Sequence, residues 1–365
     1  MRMSAAVLRD PEGPFTLESV DLADPGAGEV LVEVFGVGFC HTDVLPRQPG
    51  FLASPPIVVG HEGAGIVRAA GPGAGVAVGA HVALSFDSCG RCANCVTGRP
   101  AYCATFFSRN LTGRPVAGPG PVVDANGAPV AARWFGQSSF ATHCLAGPRN
   151  VVVVDDDLPL ELLGPLGCGI QTGAGSVLRA LDVRAGSSVA VFGAGAVGLA
   201  AVMAAALAGA AVIVAVDLHD ARLELAQELG ATHVVRGDAD GLARHLRAVT
   251  GGGARYALDT TGDPAVIAAA VDALRPTGTL GLVGAGSRDL VLRADALAAG
   301  KNLMGILEGD AVPQVFLPEL IALWRQGRFP FDRLIRTYPL SKINEAERDA
   351  ASGAVVKPVL LPKEA

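Results

Sequence analysis

A chain of 365 residues is long enough for two domains with a core each, and its 50% apolar and 18% charged residues suit a globular enzyme. Its net charge of −6, with no lysine/arginine run, argues against a nucleic-acid partner and against an anionic membrane surface. Seven cysteines cannot all pair. Met1 to Phe15 shows no secretory leader, so cytoplasmic location and metal binding are expected rather than a disulfide framework.

Up to about residue 160, short β-rich runs such as Val30–Phe35, Ile57–Val59 and His81–Leu84 are broken by Gly and Pro. This predicts an irregular β domain with long loops. Two polar motifs interrupt it: Cys40-His41-Thr42-Asp43 and Gly60-His61-Glu62. Next comes Cys89-Gly-Arg-Cys92-Ala-Asn-Cys95, then Cys103. Four thiolates on one loop suit a closed tetrahedral zinc site, which has no open position and therefore staples structure. An iron–sulfur cluster or a redox pair is the alternative. His143 and Cys144 lie in a strand-like run and read as structural. Cys168 follows in Leu166-Gly-Cys-Gly-Ile-Gln-Thr172. A lone cysteine is ordinarily a small buried hydrophobe. With Cys40 and His61 it would also make a Cys2His set with a fourth position open, the catalytic arrangement. Spacing alone leaves both readings standing.

From about Leu160, apolar runs (Val189–Phe192, Val212–Val216, Leu280–Val283) alternate with helices (Ala221–Leu229, Pro264–Leu274), which predicts a parallel sheet. Val189–Phe192 runs straight into Gly193-Ala-Gly-Ala-Val-Gly198 and a helix to about Ala208. In that setting Gly193 allows the turn, Gly195 lets backbone approach a pyrophosphate, and Gly198 permits close packing. Asp217, ending the next strand, can hold both ribose hydroxyls and repel a 2′-phosphate, so NAD is expected over NADP. Arg222 can cap the adenosine ribose and leaves some NADP tolerance open. Ser187–Val216 is uncharged and long enough to span a bilayer, but its glycines and β-branched runs read better as buried strand, turn, helix and strand. The tail predicts a helix at Pro318–Gln326 and a last strand at Lys357–Leu361.

The order C-H-T-D, G-H-E-x-x-G, four-cysteine lobe, then Cys168 before G-x-G-x-x-G resembles the zinc-containing medium-chain alcohol dehydrogenase family over essentially the whole chain. The segments Gly136-Gln-Ser-Ser-Phe-Ala141 and Glu161 to Gly175 are similar to its bacterial aryl-alcohol (benzyl-alcohol) branch, which includes enzymes of allylic terpene alcohols. The resemblance implies an α/β fold: a GroES-like irregular β domain at 1–169 with its lobe near 86–106, a Rossmann doubly wound parallel sheet at 170–304, and a return to the first domain at 305–365.

It further implies NAD and two zinc ions per subunit, one structural on Cys89, Cys92, Cys95 and Cys103, one catalytic on Cys40, His61 and Cys168. Asp43 would orient His61, Glu62 would be an occasional ligand, and Thr42 would take the proton of the bound alcohol. His41 and Lys357 would lie at the cofactor pyrophosphate, and Thr172, Val197 and Val283 at the cofactor. Phe51, Phe86, Trp134, Phe135 and Leu307 would line a pocket for a primary aromatic or allylic alcohol and its aldehyde. Many relatives carry a relay histidine where this chain has Leu45, so here the last proton step would run without that histidine. Competing readings are a zinc-free reductase on the same fold, a thiol-adduct formaldehyde dehydrogenase, an aliphatic-alcohol enzyme, and a zinc-stapled binding module. A homodimer or homotetramer is expected.

Overall fold

The computed structural model describes every residue except 285, 287 and 365, and residue 364 without its side chain. The chain divides into two units, Met1–Cys168 with Val312–Glu319 and Asp332–Ala365, and Gly169–Ala311 with Leu320–Phe331.

The first unit is built on β-sheets. One runs Val151–Val154, His81–Leu84, Glu62–Ala70, Val30–Gly38, Lys357–Leu361, Ile335–Pro339, with His143–Ala146 also paired to Val30–Gly38. The other runs Ile57–Val58, Arg2–Leu8, Phe15–Leu22, Val122–Val123, Pro129–Val130. Val30–Gly38 sits in the middle because it is apolar on both faces and buried along nearly all its length. It runs past the predicted end at Phe35, because Gly36 and Gly38 can pair while other groups lie against their bare backbone. A side chain at Gly36 would strike the Glu161 backbone, and one at Gly38 the Glu62 carboxylate. The strand thus delivers Cys40 directly after its end. Lys357–Leu361 joins antiparallel beside it, with Val359 opposite Gly38.

The second unit holds a parallel sheet in the order His233–Arg236, Val212–Asp217, Ser188–Phe192, Ala254–Asp259, Leu274–Leu282, Asn302–Gly305. Taken in chain order this is three, two, one, four, five, six, the doubly wound arrangement whose direction of winding reverses beside the first strand. Phe192, Val214, Val216, Leu246, Val271 and Leu280 are among its core residues. Ala196–Leu207 is an uncharged helix of small and apolar residues, buried from Gly198 to Ala205. That burial accounts for the uncharged stretch at 187–216. No helix of the described residues is long and apolar enough to cross a membrane.

The tail helix spans Pro313–Arg325, starting earlier than predicted, with Pro318 inside it. Proline at a helix start loses no needed donor, and Pro318 removes only one bond near that start. Burial of Phe316, Leu317 and Leu320 along the helix offsets the loss.

Candidate active site

Three segments far apart in sequence converge in the first unit. Cys40 leads the short helix His41–Arg47, His61 precedes the strand Glu62–Ala70, and Cys168 follows the turn Gly164–Gly167. Donor atoms of Cys40, His61, Glu62 and Cys168 all lie within 4.8 Å of one another. His61 Nε2 is 3.3 Å from Cys168 Sγ. Fully buried Asp43 sits behind them and accepts four donors: His61 Nδ1 at 2.7 Å, Gly60 N–H and Trp134 Nε1–H at 3.0 Å, and Cys40 N–H at 3.1 Å. A proton held on Nδ1 by Asp43 leaves the Nε2 lone pair for a metal.

The electrostatics favour thiolate here. Contact with Cys168, then with His61, holds the Cys40 thiol well below its ordinary range, against the cost of burial. Burial opposes a charged His61, but Asp43 and Cys40 outweigh it and push its pKa well up. Without metal the ring therefore holds a proton on Nε2 as well, which a zinc ion would displace; two sulfurs and an imidazole are a donor set that suits zinc.

The four-cysteine loop is of another kind. Donor atoms of Cys89, Cys92, Cys95 and Cys103 also lie within 4.8 Å of one another, and none of the chain's cysteines is disulfide-bonded. Backbone N–H groups point at the sulfurs: Cys89 N–H to Cys103 Sγ at 3.2 Å, Cys92 N–H to Cys89 Sγ at 3.3 Å, and Ala104 N–H to Cys92 Sγ at 3.4 Å. Such N–H groups, from Arg91 and Cys92, bring the Cys89 thiol down to about 6, while burial raises Cys95 to about 12. The lobe's helices, Ala93–Val96 and Phe106–Asn110, are too short to hold it by themselves, and Val96 and Phe107 are exposed.

In the second unit a cavity of about 400 Å3 opens over the glycine turn, lined by Gly193, Gly195, Asp217, Arg222 and Thr260 among others. Gly193 has φ of 89°, and a side chain at Gly195 would project into open space, so the turn keeps a bare cradle at the start of the helix Ala196–Leu207. At Gly198 a side chain would strike the Gly193 carbonyl, the close approach expected of the third glycine. Asp217 accepts Ala194 N–H at 2.6 Å and His219 N–H at 2.9 Å, and Arg222 Nη1 lies 4.0 Å from its carboxylate. These features fit a dinucleotide phosphate and ribose.

Comparison with known proteins identifies the family. Residues 26–156 match the alcohol dehydrogenase GroES-like domain and residues 196–323 the zinc-binding dehydrogenase family. Geraniol dehydrogenase of Castellaniella defragrans is 47% identical over 362 residues, 98% of this chain and 97% of that protein. The chain belongs to the zinc-containing medium-chain alcohol dehydrogenase family. Among solved structures, an alcohol dehydrogenase zinc-binding domain protein from Burkholderia ambifaria superposes with a TM-score of 0.96 at 48% identity, covering 99% of both chains. Benzyl alcohol dehydrogenase from Acinetobacter calcoaceticus does so with a TM-score of 0.93 at 42% identity, again over 99% of each. As a member of this family the chain is an alcohol dehydrogenase that uses zinc and a nicotinamide cofactor.

For this dehydrogenase the structure also locates the remaining predicted residues. Thr42 is half-buried, with its hydroxyl 3.6 Å from Cys40 Sγ, and His41 is exposed. The Phe135 ring lies over His61, centroids 4.3 Å apart and 23° from parallel. Trp134 touches both Phe135 and Phe51, and Phe86 packs on Phe106 beside the four-cysteine lobe. In the second unit Thr172 is buried with its hydroxyl 3.5 Å from Glu308, and Val197, Val283 and Leu307 are half-buried.

Lys357 is buried in the first unit, and its ammonium donates to Glu62 Oε1 and Oε2 at 2.9 Å and to the Phe39 carbonyl at 3.2 Å. All three donors of the group are used. Burial alone would lower its pKa, but Glu62 and Cys40 hold it above the ordinary range.

Sequence reasoning missed Gln137 as a site residue. Its amide donates to the His61 and Ser85 carbonyls at 2.8 and 3.1 Å, and its carbonyl accepts Gly63 N–H and the Ser139 hydroxyl. The Gln-Ser-Ser run thus clamps the backbone on both sides of His61 and Glu62. Its polar letters in a buried stretch were the available signal.

Proposed function

We propose that this enzyme interconverts a primary allylic or benzylic alcohol and its aldehyde with NAD, in the cytoplasm. One zinc would sit on Cys40, His61 and Cys168 and a second on the four-cysteine lobe. The observation that carries the substrate class is the ring of Phe135 lying on the ligand His61, backed by Trp134 and Phe51. An apolar aromatic wall favours a flat unsaturated alcohol over a polyol, which needs polar partners. The names of the geraniol and benzyl alcohol relatives point the same way.

A zinc ion held by Cys40, His61 and Cys168 would supply Lewis acidity toward an alcohol hydroxyl, and a nicotinamide held at the glycine turn would supply the hydride acceptor. The chain's own residues do the rest. Cys40 and Cys168 serve as anionic donors, and Asp43 keeps the His61 ring in one orientation and tautomer. The Thr42 hydroxyl takes the alcohol proton and passes it toward solvent without a histidine at Leu45. Phe135 and Trp134 exclude water from the metal side. Asp217, at the cavity of the glycine turn, holds the adenosine ribose and disfavours a 2′-phosphate. The first unit acts as the catalytic domain and the second as the cofactor domain. The chain works as a homodimer or homotetramer, which light scattering reads directly.

The test is an NADH assay over geraniol, benzyl alcohol, ethanol, a polyol and a formaldehyde–thiol adduct, each with NAD or NADP, with metal counted per subunit. The reading expects kcat/KM highest for geraniol or benzyl alcohol with NAD, two zinc ions, and loss of activity on chelation. Preference for the thiol adduct or for a polyol would refute the substrate class, and one zinc per subunit with full activity would refute the mechanism.

A further inference from the structure

The buried pair Lys357–Glu62 stands among the metal donors, and no step of the reaction uses it. Glu62 shares the 4.8 Å cluster with Cys40, His61 and Cys168. A zinc that takes four protein donors is closed, as in structural sites, whereas a catalytic site takes three and keeps one position free. Glu62 is therefore the residue able to shut this centre.

Several features tie the carboxylate, within this cluster, to Lys357. Both its oxygens lie 2.9 Å from Lys357 Nζ, and the side chains are 0% and 4% exposed. The ammonium is anchored by the Phe39 carbonyl, and its strand is anchored by pairing to Val30–Gly38. The carboxylate rests over Gly38, where a side chain would collide with it. A buried carboxylate needs cationic partners, and Lys357 gives this one a direct ion pair, with His61 also acting on it.

We propose that Lys357 is a positioning residue that holds Glu62 off the metal and so keeps the fourth coordination position open to substrate. The proposal rests on the reading above that Cys40, His61 and Cys168 carry a zinc ion.

Cobalt(II)-substituted full-length protein tests it, because cobalt visible bands report coordination and the closed four-cysteine site does not respond to added ligand. Imidazole above its pKa is a neutral probe, insensitive to removal of a nearby charge. Wild-type protein is expected to shift its bands on imidazole binding. Lys357→Met should weaken that binding at least about tenfold, Lys357→Met/Glu62→Gln should restore it, and Lys357→Arg should retain it. Wild-type affinity in Lys357→Met would overturn the proposal. Should that variant not fold, Glu62→Gln alone decides. With Glu62 already held away, imidazole affinity should change less than about threefold, and a gain of about tenfold would show that Glu62 occupies the metal despite Lys357, overturning the proposal. Cobalt confined to the four-cysteine lobe in wild type would sink the functional reading and this proposal together, whereas an unchanged Lys357→Met sinks the proposal alone.

Discussion

The two thiolate clusters of the first unit use the same chemistry in opposite ways. Cys89, Cys92, Cys95 and Cys103 come from one short loop, with sulfurs served by local N–H groups and little apolar burial around them. Cys40, His61 and Cys168 come from segments up to 128 residues apart, and Asp43, Trp134 and Gln137 hold them in a buried setting. In the loop a metal would make the structure. At the buried centre the structure is already made, and a metal would be presented to something else. The lesson is that a donor's surroundings, more than its identity, separate a staple from a reactive centre.

The sharpest way to break that contrast is His61→Ala. Turnover should fall to background while the protein stays folded and the four-cysteine lobe keeps its zinc, with a lowered melting temperature because buried Asp43 loses its partner, as read by NADH formation, metal analysis and calorimetry. A variant that unfolds instead would mean the buried centre is also a staple. Next comes Cys103→Ser, which should cost several kcal/mol of stability, on the order of what structural zinc supplies to small domains, and make residues 86–106 protease-sensitive. Equal stability by denaturant titration would remove the lobe's structural role.

Asp43→Asn retains the shape but loses the anion behind His61. A drop of about 10–100-fold in zinc affinity at the buried centre is expected, with the lobe unaffected, measured by chelator competition. The smallest effect distinguishes sulfurs within the lobe. Just after metal removal, while the lobe still holds the described geometry, Cys89 at pH 7, lowered to about 6, is mostly thiolate, and Cys95, raised to about 12, is thiol. Iodoacetamide should therefore label Cys89 first, and its rate should fall as pH drops through 6 and the thiolate protonates, by peptide mass spectrometry. Labelling of Cys95 ahead of Cys89 would contradict the N–H explanation.

Local motifs were readable in advance for a physical reason. Cys89 to Cys103 and Gly193 to Gly198 do their work within one loop or one turn, so spacing nearly specifies geometry. The parallel order of the second unit was legible for the same reason, since alternating strands and helices allow few windings. The extended reach of Val30–Gly38 and the early start of the helix Pro313–Arg325 were not, because packing there overrode the local signals of glycine and proline.

The sequence by itself determined the donor types, the closed four-thiolate loop and the glycine turn, because each is encoded over a few neighbouring residues. Only the tertiary structure decided that Phe135 covers His61, that Gln137 clamps its backbone and that Lys357 meets Glu62. Lys357 and Glu62 are 295 residues apart, and strand pairing beside Gly38, which no local pattern encodes, brings their charges together.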